Sequence, residues 1–574
     1  MGKIARVAAT SVLAFKLCTA SLAGAQQADT VLLGGKIVIL DAKEQICQAL
    51  AIRDRHIIAH GTDQQMRNYI GERTKIIRLA GKSVVPGLIE SHVHSFGVAR
   101  EEAYQPYAEL PSIAEIQAWI RKRAAQLPPG EWVRVPRNDV TRIRERRHPT
   151  PAELDAACTT HPVIFTAVRK SALNTAGFRA LGVTPQTTEF HGGKIVRDAS
   201  GSPALIVGAD SYLGESISAP RLTHARLVEE LPKVLRRYSE AGITAIGERR
   251  SDVEGYRTFQ ELRQLGRLPV RATVSMHMPE RTPERIEAFV RKLGVKQGDG
   301  DDWVKIGCLK VFADGGIHWG TAGLREPYGP KRIAFYRLTD PDYRGDLFYT
   351  NDEIRAIYDT ANRLGWQVSV HATGDATVDQ VLDAIEAADR KQSVRDRRFT
   401  LVHAYFPIAD AIARARRLGL CVDTQPYLYY KDSDAMAEVY GKNWADRLIG
   451  LGDWVRSGIP TAINSDHMIG LDPDHAMNSF NPFLGMYIAV SRKNQNGRTY
   501  NPEQKISRVA ALRSVTSSAA YMDFNEKKIG SLEIGKLADL AVLDRDYLQC
   551  PEEEIRAIKV LMTMVDGKIV YQRP

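Results

Sequence analysis

Residues 84–95 read VVPGLIESHVHS. An apolar run over 84–89 leads into His92-Val93-His94. Along an extended strand, residues two apart point to the same side. His92 and His94 therefore aim two imidazoles at one place, which is half of a site for zinc or a similar ion. Two histidines on a strand end also occur without a metal, so the rest of the chain has to supply the other ligands.

Upstream of this stretch, residues 29–83 read as short strands. The segment 30–40 (TVLLGGKIVIL) is a hairpin-like piece broken at Gly34-Gly35, 49–59 turns at 53–55, and 74–79 is a third. Such strands bury one face and need a partner layer. The far end of the chain supplies it: 540–543, then 560–565 and 568–571 flanking Asp566-Gly567, a two-residue hairpin signal. Residues 29–83 and 530–574 are thus expected to form one small β-sandwich, with the middle of the chain inserted in it.

Downstream, residues 97–235 hold amphipathic helical pieces such as 113–126, with breakers at Pro128-Pro129-Gly130 and 149–151. This stretch reads as an insertion covering the site. From about 236 a regular alternation begins, with strand-like runs at 242–247, 270–277, 304–312, 367–371, 399–403, 420–425 and 460–464 and helical stretches between most of them. With 84–91 in first place there are eight. Strands alternating with helices imply parallel crossovers, so residues 84–529 are predicted to fold as an α/β (β/α)8 barrel, with the insertion after strand one.

In that architecture chemistry sits at the C-terminal ends of the strands. The rule played no part in choosing the strands, so it can test them. Strand one ends at His92 and His94, strand five at His371, strand six at His403 and strand eight at Asp466, while Lys310 lies near the end of strand four. Among 14 histidines, one at a strand end is unremarkable. Four of them with an aspartate around one rim form a candidate metal site.

Composition narrows the function classes. The chain has 574 residues, 44% hydrophobic and 25% charged, which suits a globular protein of two or three domains. Its net charge is +10, but Lys and Arg are scattered. The two clusters, RIRERR at 142–147 and RARR at 414–417, read as solvated faces rather than a nucleic-acid site. Residues 1–25 resemble an export signal: Lys3 and Arg6, an apolar stretch, then Ala23-Gly24-Ala25. The expected location is periplasmic or secreted. No later segment has the apolar length of a membrane span. Cys47, Cys158, Cys308, Cys421 and Cys550 are far apart with no CxxC pairing, which does not indicate a disulfide framework.

Six motifs then carry a resemblance: PGLIESHVH from Pro86, LKVFADGG from Leu309, EPY from Glu326, HATGDATVDQVLDA from His371, INSDHMIGLDP from Ile463 and IGSLEIGKLADLAVLD from Ile529. Over nearly the whole mature chain the sequence resembles the metal-dependent amidohydrolase superfamily, in the family 3 branch that includes N-substituted formamide deformylases. The resemblance implies two divalent ions, zinc by default. His92, His94 and Asp466 would bind one, and His371 and His403 the other. Lys310 would bridge them as a carbamate, because an ammonium has donors and no lone pair. The alternative for Lys310 is an ion-paired lysine beside a single metal. The implied reaction is attack of a metal-bridging hydroxide on an amide carbon, with Asp466 carrying the proton to the leaving nitrogen.

The expected activity is hydrolysis of a C–N bond (amide, N-acyl or cyclic amide) in a small molecule. A homodimer is the assembly suggested by analogy. A deaminase or lactonase on the same scaffold, and a regulatory or binding protein without turnover, remain as rivals. Two departures from relatives stand out. Glu90 replaces the usual Asp two residues before the histidine pair. Arg169 stands where a His is expected, and there a carboxylate-binding role and a plain surface arginine both stay open. His318, Trp319, Gln425 and His467 are the remaining candidates for contact with substrate.

Overall fold

The computed structural model describes residues 27–167, 170–209, 213, 217 and 221–574. The segment read as an export signal and Arg169 lie outside the described residues.

Eight parallel strands form the central sheet: β1 (Leu88–Val93), β2 (Ile243–Ser251), β3 (Arg271–His277), β4 (Val304–Phe312), β5 (Val368–Ala372), β6 (Thr400–His403), β7 (Cys421–Thr424) and β8 (Thr461–Ile463). Each pairs with the next in chain order from β1 to β8. The ring closes between first and last. Val93 bridges to His467, the His94 N–H donates to the His467 carbonyl (2.9 Å), and the Ser465 N–H donates to Glu90 Oε1 (2.9 Å). Glu90 therefore acts as a stitch across the seam, and burial pushes its carboxyl up to about 8. The result is a (β/α)8 barrel, as the alternation predicts.

The run 84–91 is not one strand, however. Ser83–Pro86 belongs to a terminal sheet, β1 to the barrel, and Gly87 lies at the joint. A Cβ on Gly87 would lie 2.2 Å from Thr244 Oγ1, so only glycine lets β1 lie this close to β2. The hairpin expected over 30–40 is also corrected. Thr30–Leu33 pairs with Ala49–Arg53 and Lys75–Arg78, whereas Lys36–Val38 pairs with Ile46–Cys47 and Ser83–Pro86. The Gly34-Gly35 break passes the chain from one sheet to the other, with Gly34 at φ 70°.

Those two sheets form the sandwich. One has four strands, all from the N-terminal segment. The other has six, three of them from the far end: Leu540–Leu543, Val560–Val565 and Lys568–Gln572. Leu32, Leu50, Ile52, Leu540, Val542 and Met564 pack together in one buried cluster. Asp566 and Gly567 turn the last hairpin at φ 57° and 72°, the left-handed pair such a turn requires. Arg271 at the start of β3 joins barrel to sandwich, donating to Asp539 (2.7 and 2.9 Å) and Asp566 (3.0 Å).

The insertion is richer than helices and loops. It carries a six-stranded sheet, from Val133–Arg134 through Val163–Ala167, Lys170–Leu173 and Pro203–Val207 to Gly193–Arg197 and Glu189–Phe190. Several of these strands are short, and Val163–Ala167 opens on three apolar residues in a row rather than alternating, so periodicity does not declare them. Nor is Arg142 of the RIRERR run solvated. It is buried against Asp432 (3.0 Å) and donates to the Met477 carbonyl (2.7 Å), tying the insertion to the barrel rim. No helix among the described residues is long and apolar enough to cross a membrane.

Candidate metal centre

The C-terminal ends of the strands bring His92, His94 and Asp466 together. Asp466 Oδ1 lies 3.4 Å from His92 Nε2 and 3.1 Å from His94 Nε2, and the three ligand atoms fall within 4.8 Å of one another. His371 and His403 meet beside them, with Nδ1 and Nε2 facing at 2.7 Å. The His92 and His403 rings are 5.8 Å apart, so both groups share one mouth of the barrel. Asp466 and His403 are non-glycine residues in the left-handed region, at φ 51° and 76°. Such backbone costs about 1–2 kcal/mol per residue, and it turns both side chains inward at the rim.

The hydrogen bonds behind the imidazoles fix their tautomers. Asp423 accepts from the Ser91 hydroxyl (2.6 Å) and from Asn464 Nδ2 (2.5 Å). Asn464 must therefore present Oδ1 to Gln425 Nε2 (2.9 Å), which leaves Gln425 Oε1 to accept from His403 Nδ1–H (2.7 Å). His371 Nε2–H donates to the Gly315 carbonyl (3.0 Å). With those protons placed on the outer nitrogens, His371 Nδ1 and His403 Nε2 both turn lone pairs toward each other. Burial is the main cause holding His92, His371 and His403 in the neutral, ligating form, with the Lys310 charge adding to it; His371 is pushed down to about 3.

Lys310 is fully buried, and its Nζ has no hydrogen-bond partner. Burial is the main cause lowering its pKa to about 8. Among the other atoms without partners are Asp466 Oδ1, Asp423 Oδ2 and His92 Nδ1. Facing lone pairs, a carboxylate oxygen between two imidazoles and orphaned buried donors form a set that suits divalent cations. Lys305, of opposite strand parity, bonds at the far end of the barrel to the Asp523 carbonyl (2.6 Å) and Asn525 Oδ1 (2.5 Å).

A cleft of about 970 Å³ opens above this cluster, lined by His92, His94, His371, His403, Asp466 and Trp319 among others. Gln425, His467 and His318 do not line it. Gln425 is wholly buried behind His403. His467 is buried too, with both ring nitrogens bonded: Nδ1 accepts from the Tyr238 hydroxyl (2.8 Å) and Nε2–H donates to the Gly470 carbonyl (2.7 Å). His318 packs edge-on against Trp319, with ring centres 4.5 Å apart, and turns toward Asp139 at 3.9 Å.

Two positions passed over in the sequence line the cleft: Glu248 and Arg250. They sit two apart near the end of β2, the spacing that marks His92 and His94. Stopping the strand at Gly247 hid them. Asp314, just past β4, accepts from the N–H groups of Thr373, Gly374 and Gly323 (2.9–3.0 Å) and from the hydroxyls of Thr373 (3.0 Å) and Thr377 (2.7 Å). It locks the β4 and β5 loops together.

Residues 75–571 match the model of the amidohydrolase family. The chain belongs to that family. It is an amidohydrolase, of the class acting on carbon–nitrogen bonds other than peptide bonds. It is 26% identical over 567 residues to the N-substituted formamide deformylase of Arthrobacter pascens, covering 96% of this chain and 99% of that one. It is also 26% identical over 555 residues to the putative amidohydrolase YtcJ of Bacillus subtilis, covering 94% and 99%. Among solved structures, an uncharacterized metal-dependent hydrolase from Pyrococcus furiosus shares the fold at a TM-score of 0.65 with 22% identity, over 91% of this amidohydrolase and all of that chain.

Proposed function

We propose that this amidohydrolase cleaves the amide, N-acyl or cyclic amide bond of a small molecule with two divalent ions, zinc by default. His92, His94 and Asp466 would hold one, His371 and His403 the other, and Lys310, once carbamylated, would offer an oxygen to each. Divalent ions in such a site acidify water and polarise a carbonyl. The observation that carries the reading is the pair of lone pairs facing at 2.7 Å, His371 Nδ1 and His403 Nε2, held that way by Gly315 and Gln425.

The chain's own groups divide the remaining work. Asp466, which lines the cleft and sets its Oδ1 between two imidazoles, takes the proton of the attacking water. It then delivers that proton to the nitrogen as the C–N bond breaks, since an unprotonated amide nitrogen leaves poorly. Gln425 and Gly315 keep both imidazoles in the ligating tautomer throughout. Phe312 and Trp319 give the cleft apolar walls beside the reacting atoms.

The test is hydrolysis of a panel of formamides, N-acyl amino acids and cyclic imides, read by amine release. The wild type is expected to turn over at least one class and to lose that activity on chelation. Asp466→Asn should fall by at least about a hundredfold in kcat. Turnover by Asp466→Asn at the wild-type rate would remove the proton carrier from the account.

A further inference from the structure

The cleft holds two arginines to which none of its carboxylates is paired. Glu248 accepts from the Ser95 hydroxyl (2.5 Å) and N–H (2.8 Å). Asp252 caps the helix Val253–Gln264 through the Gly255 N–H (2.9 Å), and Asp314 is committed to the loop donors described above. Arg250 and Arg137 line the same cleft, and neither has an ion-pair partner among the described residues. Arg137 Nε is buried with no hydrogen-bond partner. Each guanidinium rests against an aromatic ring: Arg250 Cζ lies 5.3 Å from the centre of Phe312, and Arg137 Cζ 5.6 Å from that of Trp319. A guanidinium supported on a ring keeps its N–H edge for a carboxylate, which it binds with two parallel hydrogen bonds.

Position relative to the chemistry favours Arg250. Lys310 Nζ lies 5.2 Å from the centre of the same Phe312 ring, and the His371 ring 5.4 Å from it. One side chain therefore separates Arg250 from the reacting centre. Desolvation and the nearby Arg100 lower the Arg250 pKa, and an incoming anion would offset the Arg100 repulsion.

Building on the hydrolase reading above, we propose that Arg250 captures a substrate carboxylate, so that the substrates are amides of the N-acyl amino acid class, with the carboxylate a ring's width from the scissile bond. Arg137 is a second guanidinium in the cleft without an ion-pair partner among the described residues. This is the role that the sequence left open for Arg169.

Calorimetric titration of the metal-loaded protein with N-formylphenylalanine and with N-formylphenethylamine, which lacks only the carboxylate, tests it. The carboxylate compound should bind at least about tenfold more tightly, with the preference growing at low salt. In Arg250→Met the preference should shrink to within about threefold, and Arg250→Lys, which keeps the charge without the fork, should fall between. Thermal melts of both variants establish that they fold. Equal binding of the two compounds, binding of neither, or an undiminished preference in Arg250→Met overturns the inference. Preferential binding that Arg250→Met abolishes, with no hydrolysis of any compound in the panel above, upholds the carboxylate capture and sinks the hydrolase reading. Hydrolysis of both without preference does the reverse.

Discussion

His371 and His403 show how a single proton position decides what a pair of side chains can do. Each ring has one nitrogen bonded to a fixed acceptor, so the other is left as a lone pair. Gln425 bears on the imidazole pair through that effect. Replacing it with Leu removes the acceptor for His403 Nδ1–H, and metal affinity is expected to drop about 10–100-fold. Gln425→Glu keeps an acceptor and should bind metal nearly as the wild type does. Competition titration against a chelator measures both, and wild-type affinity in Gln425→Leu would show that the tautomer is set otherwise. At this scale residue type and strand position brought out the imidazoles, Lys310 and Asp466, which converge on one rim. The same reasoning expected Gln425 and His467 to face substrate, because the end of a strand does not say which side of the backbone a residue takes. His467 turns into a pocket closed by Tyr238 and Phe480, which come from elements far apart in sequence.

Among the elements, the joint at Gly87 has the sharpest consequence. It lets one extended run serve the sandwich up to Pro86 and the barrel from Leu88. Gly87→Ala would put a methyl carbon 2.2 Å from Thr244 Oγ1 and 2.6 Å from its Cγ2. The expected loss is about 1–3 kcal/mol in denaturant unfolding, partly regained with Thr244→Ala in the same chain. An unchanged midpoint for Gly87→Ala would mean that the backbone has room to move there. The eight barrel strands were legible because parallel strands read as apolar runs between helical stretches. The insertion sheet was not, since its pairing depends on partners the sequence does not place side by side. The break at Gly34-Gly35 was visible as a break, but a turn within one sheet and a passage between two sheets share the same local signal.

For the molecule as a whole, barrel and sandwich are joined by buried charge as well as apolar packing. Arg271 is buried with Asp539 and Asp566 as its carboxylate partners. Arg271→Met strands Asp539 in the interior and is expected to cost about 3–5 kcal/mol, read by denaturant midpoint. Adding Asp539→Asn should restore part of it, and a double variant as unstable as the single would contradict that assignment. The two chain ends could be matched in sequence because the Asp566-Gly567 turn announces a hairpin that must find a sheet. That the strands of this hairpin would join a different sheet from Thr30–Leu33 depends on register, which the sequence does not carry.

We propose that one end of the barrel holds two divalent cations between its imidazoles, Asp466 and a modified Lys310. Elemental analysis of the purified, metal-loaded protein counts those ions. The wild type should carry about two ions per chain and Lys310→Ala about one. A folded wild type that hydrolyses its substrate at full rate with no bound metal would contradict the proposal.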